Sequence, residues 1–208
     1  MTTTAFQYIF DKAETLSMNR RATVAQTVAR DQTVRSVSRG GQVWRFEVKL
    51  PDGLTWTELR PYVEALDKAD RYTAGNVTIN QTGTSWLSGY QGEATAVTGF
   101  NATFTSGDSI TLTSTGTGLS PGKYSFKSGD FIQLGTGGRV YSVVDNVVYP
   151  NTTVKLNRPI IESAGSYALT VGPNVKWQVI CTDFPDWTFS QRNLVSWSGT
   201  FKFQESYV

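Results

Sequence analysis

Histidine is absent from this 208-residue chain, and cysteine occurs once, at position 181. Without histidine the commonest general base, the commonest zinc ligand and every Ser-His or Cys-His nucleophile pair are excluded. One cysteine permits no intramolecular disulfide. Its apolar neighbours Val179, Ile180 and Phe184 read Cys181 as a small buried hydrophobe, since a reactive thiol needs a positive, accessible setting. Charge is scarce too: 17% of residues are charged and the net charge is +2, which gives no electrostatic ground for sequence-specific nucleic-acid binding. The N-terminus MTTTAFQYIFDKAE lacks the basic and apolar regions of a secretory signal, and no apolar run is long enough to span a bilayer. A soluble chain made in the cytoplasm, with no membrane partner, is the expectation. In that setting Asn76-Val77-Thr78, Asn80-Gln81-Thr82, Asn101-Ala102-Thr103 and Asn151-Thr152-Thr153 carry no meaning as glycosylation acceptors.

What is present points to strands. Hydrophobic residues make up 39%, aromatics 12%, and there are 19 glycines. Residues 42–50, QVWRFEVKL, alternate Trp44, Phe46, Val48 and Leu50 with Val43, Arg45, Glu47 and Lys49, the period of a half-buried strand. A Pro51-Asp52-Gly53 turn follows. Then Thr55 with Glu58 forms a capping-box pattern, and Leu59, Tyr62, Val63 and Leu66 make a one-sided stripe. This is the one helix expected; Pro61 moves its regular start toward Thr57 or Arg60.

Elsewhere the sequence predicts a first strand over 6–10, a second over 23–29, and an edge strand, exposed hairpin or loop over 30–39. Gly40-Gly41 predicts a hairpin between 33–39 and 42–50. The five arginines Arg20, Arg21, Arg30, Arg35 and Arg39 read as solvated surface charge or as the lining of an interface. A strand is expected over 72–79, then islands at 94–104, 109–113, 131–134, 140–144, 153–156 and 168–171, separated by tight turns. Beyond Gly172-Pro173, residues 175–182 and 194–203 again alternate long aromatic strands.

This order predicts a mainly β fold of discontinuous layout. Residues 1–90 and 173–208 form a β-sandwich or barrel with one packed helix, and residues 91–172 are inserted as a small β-domain. Chemical candidates are few. Gly135-Thr136-Gly137-Gly138 lacks the Lys-Ser/Thr ending of a phosphate-binding loop and reads as a hairpin turn. Asp183 and Asp186 flank Pro185 near Trp187 and read as loop aspartates rather than a glycosidase pair. No catalytic, cofactor-binding or metal-ligating residue is assigned, and the chain reads as a non-enzyme.

Two stretches carry a resemblance: WRFEVKLPDGLTWTELRPYVEAL at 44–66, and SGDFIQLGTGGRVYSVVD at 128–145 with TVKLNRPI at 153–160. In their order and setting the chain resembles the distal tail protein of long-tailed bacteriophages, the smaller kind in which a tail-tube-like β-domain carries an inserted OB-fold-like barrel. The resemblance implies a homo-hexameric ring in the virion. It would join the tail tube above to the baseplate hub below, with tail fibres as a further contact, and enclose the channel through which DNA leaves. It implies no individual site residue.

The rival reading is a carbohydrate-binding module, drawn from six tryptophans and nine tyrosines on a β-sandwich. Trp44, Trp177 and Trp197 fall in phase with apolar neighbours and read as core. That leaves Trp56, Trp86 and Trp187 for a sugar platform. Residues 90–172 offer only Lys123, Lys127, Arg139, Lys155 and Arg158 as cations, which argues against nucleic-acid binding there.

Overall fold

The computed structural model describes residues 4–20, 24–28, 34–38, 42–69, 71–80, 85–191 and 193–206. The chain is mainly β, with few helices. It divides into two compact units, residues 1–75 with 179–208, and residues 76–178.

In the first unit the chain runs α1 (Ala5–Asp11), β1 (Thr15–Asn19), β2 (Val24–Val28), β3 (Val34–Ser38), β4 (Arg45–Lys49), β5 (Leu54–Thr55) and α2 (Trp56–Lys68). After β6 (Gly75–Val77), the second unit holds α3 (Ser85–Ser88), β7 (Asn101–Phe104), β8 (Ser109–Ser114), β9 (Tyr124–Phe126), β10 (Phe131–Leu134), β11 (Val140–Ser142), β12 (Val147–Val148), β13 (Thr153–Lys155) and β14 (Gly165–Val171). A 3-10 turn at Gly172–Asn174 leads into β15 (Trp177–Asp183), and β16 (Trp187–Gln191), β17 (Leu194–Trp197) and β18 (Phe201–Glu205) complete the chain.

The main sheet of the first unit lays β1, β4, β18 and β15 side by side, all antiparallel, so the two ends of the chain share one sheet. Alternation decides its faces. Phe46 and Val48 are fully buried while Arg45, Glu47 and Lys49 are exposed, and Phe201, Phe203, Val179 and Cys181 bury the same side of their strands. Phe46 pairs with Met18 on one side and Phe203 on the other.

That apolar face needs a cover, and α1 and α2 supply it. Phe10 meets Phe46 and Phe203 at ring-centroid distances of 5.6 and 5.1 Å. Leu59, Val63 and Leu66 of α2 are buried. Full burial of each such side chain is worth about 1.5–3 kcal/mol. The helices touch through Tyr8 stacked on Tyr62 at 3.8 Å and through Lys12 paired with Glu58 at 3.5 Å.

Residues 6–10, expected as a strand, are therefore helical, and α2 is not the only helix. Phe6, Ile9 and Phe10 sit at i, i+3 and i+4 and are buried together, and Thr4 caps the turn by accepting from Gln7 N. The expected hairpin between 33–39 and 42–50 is not formed: β3 pairs with β2, and β4 pairs with β1 and β18. The strand predicted over 72–79 shrinks to β6, with Tyr72 exposed. Residues 194–203 are two strands, broken at 198–200, where Ser198 N donates to Asp186 O. Arg21, Arg30 and Arg39 lie outside the described residues.

The second unit is built on a curled, half-barrel sheet. Its strands run β11-β10-β14-β7-β8-β13, every neighbouring pair antiparallel. The two outer strands then meet: Val143 bridges Leu156, Val144 N donates to Lys155 O at 2.9 Å, and Asn157 N donates to Ser142 O at 3.0 Å. These bonds cover part of each outer edge. β14, β10, β11 and β13 lie in the spatial order 4-1-2-3 of a Greek key. Inside are Phe100, Phe126, Ile132, Leu134, Tyr141, Val154, Leu156 and Val171. The segment 88–95, expected in the first domain up to residue 90, straps this half-barrel instead. Tyr90 packs on Phe100 and Phe126, and Glu93 N donates to Tyr124 O.

Candidate functional site

Of the stretches that carry the family resemblance, 44–66 builds β4, β5 and α2 of the first unit, while 128–145 and 153–160 lie in the second, where several of their polar atoms are spent on its structure. Asp130 is buried, with Oδ1 accepting from Gln91 N at 2.7 Å and Oδ2 from Lys127 N at 2.8 Å. Its carboxyl is held above the usual range by burial, which those backbone donors partly offset. Arg158, also buried, lies 5.1 Å over the Tyr141 ring and donates to Val140 O at 2.8 Å. Tyr141 donates to Glu162, whose other oxygen accepts from Arg139 N at 2.6 Å. Burial pushes the Tyr141 phenol up strongly, and the Glu162 hydrogen bond adds to this.

Gly135-Thr136-Gly137-Gly138 is the turn between β10 and β11, as the sequence predicts; Gly135 has φ +73°. Asp183 is ion-paired with Lys202 at 2.7 Å, and that hydrogen bond holds its carboxyl below the usual range. A glycosidase acid needs the opposite shift. Cys181 is buried, and burial lifts its thiol to about 11. Among the described residues, no group of three or more His, Cys, Asp or Glu side chains is placed to hold a metal, and no helix is long and apolar enough to cross a membrane.

Surface features remain. Trp44, Trp177 and Trp197 are buried as expected, while Trp86 is 76% exposed. Trp56 and Trp187 come together in the first unit, stacked at 5.9 Å and 20°, with Phe189 edge-on to Trp56 at 5.4 Å. Trp187 and Phe189 belong to a small sheet ordered β16-β17-β5, whose β16 is an edge strand among the described residues, and Trp56 opens α2 directly after β5. Register places Trp187 opposite Trp197 and Phe189 opposite Val195. The buried apolar face thus runs out into solvent at that edge, where Phe189 is 58% exposed.

Sequence reading missed β16 and, with it, the residue that ties this sheet to α2. Asn193, in the β16–β17 turn, accepts from Thr57 N at 3.2 Å through Oδ1 and donates to Thr57 Oγ1 at 2.8 Å, while its carbonyl takes Trp56 N at 2.7 Å. Thr55, expected to cap the helix, makes no side-chain cap bond. Helix α2 also begins at Trp56, earlier than expected, with Pro61 inside it. Neither protein-family models nor curated protein sequences give a match to this chain.

Proposed function

We propose that this chain is a structural, non-enzymatic component of a phage tail: the distal tail protein, closing as a hexameric ring that joins the tail tube to the baseplate hub around the DNA exit channel. In this reading it is made in the host cytoplasm and resides at the distal end of the tail. The observation that carries it is the layout. The first and last parts of the chain share one helix-covered sheet, and the stretch between them is a compact unit built on a curled half-barrel sheet of its own. The sheet with its helices takes the tail-tube-like, ring-forming role. The half-barrel takes the OB-like role, with six strands where the OB fold has five.

Two features favour association. β2 and β3 pair only with each other among the described residues, and a lone two-stranded hairpin is marginal in water. The β16 edge leaves Trp187 and Phe189 part-exposed, the kind of apolar edge that subunit contacts cover. The sugar-platform reading is disfavoured in the first unit, because Trp56 and Trp187 spend ring faces on each other.

Light scattering after size exclusion tests the proposal. A species near six times the 22.9 kDa chain mass supports it. A chain that stays monomeric even when mixed with the tail proteins encoded beside it overturns it.

A further inference from the structure

The outer wall of the half-barrel carries a cleft lined by polar side chains. Along β10, Ile132 and Leu134 point into the core, so Phe131 and Gln133 point outward. Both are nevertheless buried, because the segment 174–177 lies over them. Trp177 packs edge-on to Phe131 at 5.5 Å. The Gln133 carboxamide clamps the two walls: Nε2 donates to Gly138 O and, at 2.9 Å, to Lys176 O, while Oε1 accepts from Lys176 N at 3.1 Å.

Between the walls opens a cleft of about 270 Å³ lined by Gln133, Thr136, Thr170, Asn174 and Lys176. It shares Gln133, Thr136 and Lys176 with a smaller recess that Gly137, Gly138 and Gln178 also line. Every one of these side chains is an amide, a hydroxyl or an ammonium. None is apolar and none is a carboxylate. Glu162, behind Gly138, is engaged by Arg139 N and Tyr141.

We infer that this cleft binds a single sugar residue bearing an anionic substituent, a carboxylate or a phosphate. The Gln133 clamp and the Thr170 hydroxyl, which donates to Gly135 O at 3.0 Å, hold the frame preformed, and the Asn174 amide and Thr136 hydroxyl on it match ring hydroxyls, each able to donate and accept. Lys176 is the sole cation in the lining and supplies the charge-assisted bond to the anion. The volume lies just below the roughly 300 Å³ at which drug-sized sites begin, which fits one ring and not a chain of them. The site belongs wholly to the second unit and goes beyond the proposed ring, so either reading can fail without the other.

Titration of the full chain with glucuronate, glucose 6-phosphate, glucose and inorganic phosphate decides it, followed by calorimetry and by amide shifts at 133–138 and 174–178. The expected result is a Kd of about 1 mM or tighter for the two anionic sugars, with glucose and phosphate each clearly weaker. Lys176→Gln keeps the clamp, which uses only the backbone of that residue, and should weaken the anionic sugars about ten- to hundred-fold. Thr136→Ala with Asn174→Ala should weaken both sugars and leave phosphate unchanged. Equal affinity for phosphate and glucose 6-phosphate, an unchanged Lys176→Gln titration, or no binding by either anionic sugar at millimolar concentration each overturns the inference.

Discussion

Helix α2 starts where a residue 136 positions further along the chain tells it to, and substitution at Asn193 measures that coupling. Asn193 has φ +74°, in the left-handed region that asparagine and glycine tolerate and alanine does not. Its side chain satisfies Thr57 N, one of the donors every helix start leaves open. Two terms therefore separate. Asn193→Gly keeps the backbone at ease but removes the cap, for a loss of about 0.5–2 kcal/mol, plus about 0.4–1 kcal/mol for the freer unfolded chain. Asn193→Ala removes the same cap and adds left-handed strain of about 1–2 kcal/mol. The alanine variant should fall below the glycine variant by about 1 kcal/mol, the difference between those backbone terms. Asn193→Asp keeps the acceptor and places a negative charge at a helix N-terminus, so it should stay close to the parent. Urea unfolding followed by tryptophan fluorescence gives the three values. If alanine, glycine and aspartate are equally destabilising, Asn193 does not cap α2 in solution.

Removing the Phe126 ring, fully buried against Phe100 and Tyr90, should cost about 3–5 kcal/mol, read as a lowered urea midpoint; a loss below 1 kcal/mol would mean the half-barrel core is not packed as described. The Cys181 thiol, lifted to about 11 and buried, should resist a disulfide reagent at pH 8 in the native protein and react at once in urea; rapid native labelling contradicts this. Asp130 binds its proton more tightly folded than unfolded, because burial raises its carboxyl. Its contribution is thus fully present below the unfolded value of about 3.9 and is lost as pH rises through the raised folded value. The stability difference between the parent and Asp130→Asn should shift in that sense across the acid range, and a difference flat with pH refutes it. If the β16 edge is a subunit contact, Trp187→Ser with Phe189→Ser should dissolve the hexamer while leaving the monomer folded by circular dichroism.

The sequence was most legible where one face of a strand meets the core and the other meets solvent. β4 and β15 were readable for that reason: Phe46 and Val48, or Val179 and Cys181, are buried between exposed or half-exposed neighbours. The same rule misled at Phe6–Phe10. Over five residues the alternation Phe6, Tyr8, Phe10 and the helical set Phe6, Ile9, Phe10 fit equally well, and only the Thr4 cap separates them. At 194–203 the phase of two survives the break because Trp197 and Phe201 lie an even number of residues apart. The alternation continued while the chain passed from one sheet to another.

Period two reports which side of a strand is buried and is silent about which strand lies beside it. The pairing of β3 with β2 rather than β4, the meeting of the half-barrel's outer strands at the Val143–Leu156 bridge, and the Asn193 cap are all decisions between segments. Local pattern cannot encode them, since each partner taken alone satisfies its own propensities in either arrangement. The candidate cleft was hidden for the same reason. Gln133 reads as an ordinary outward-facing polar residue of a short strand, and what makes it the floor of a polar site is the backbone of Lys176, which comes from 43 residues away to meet it.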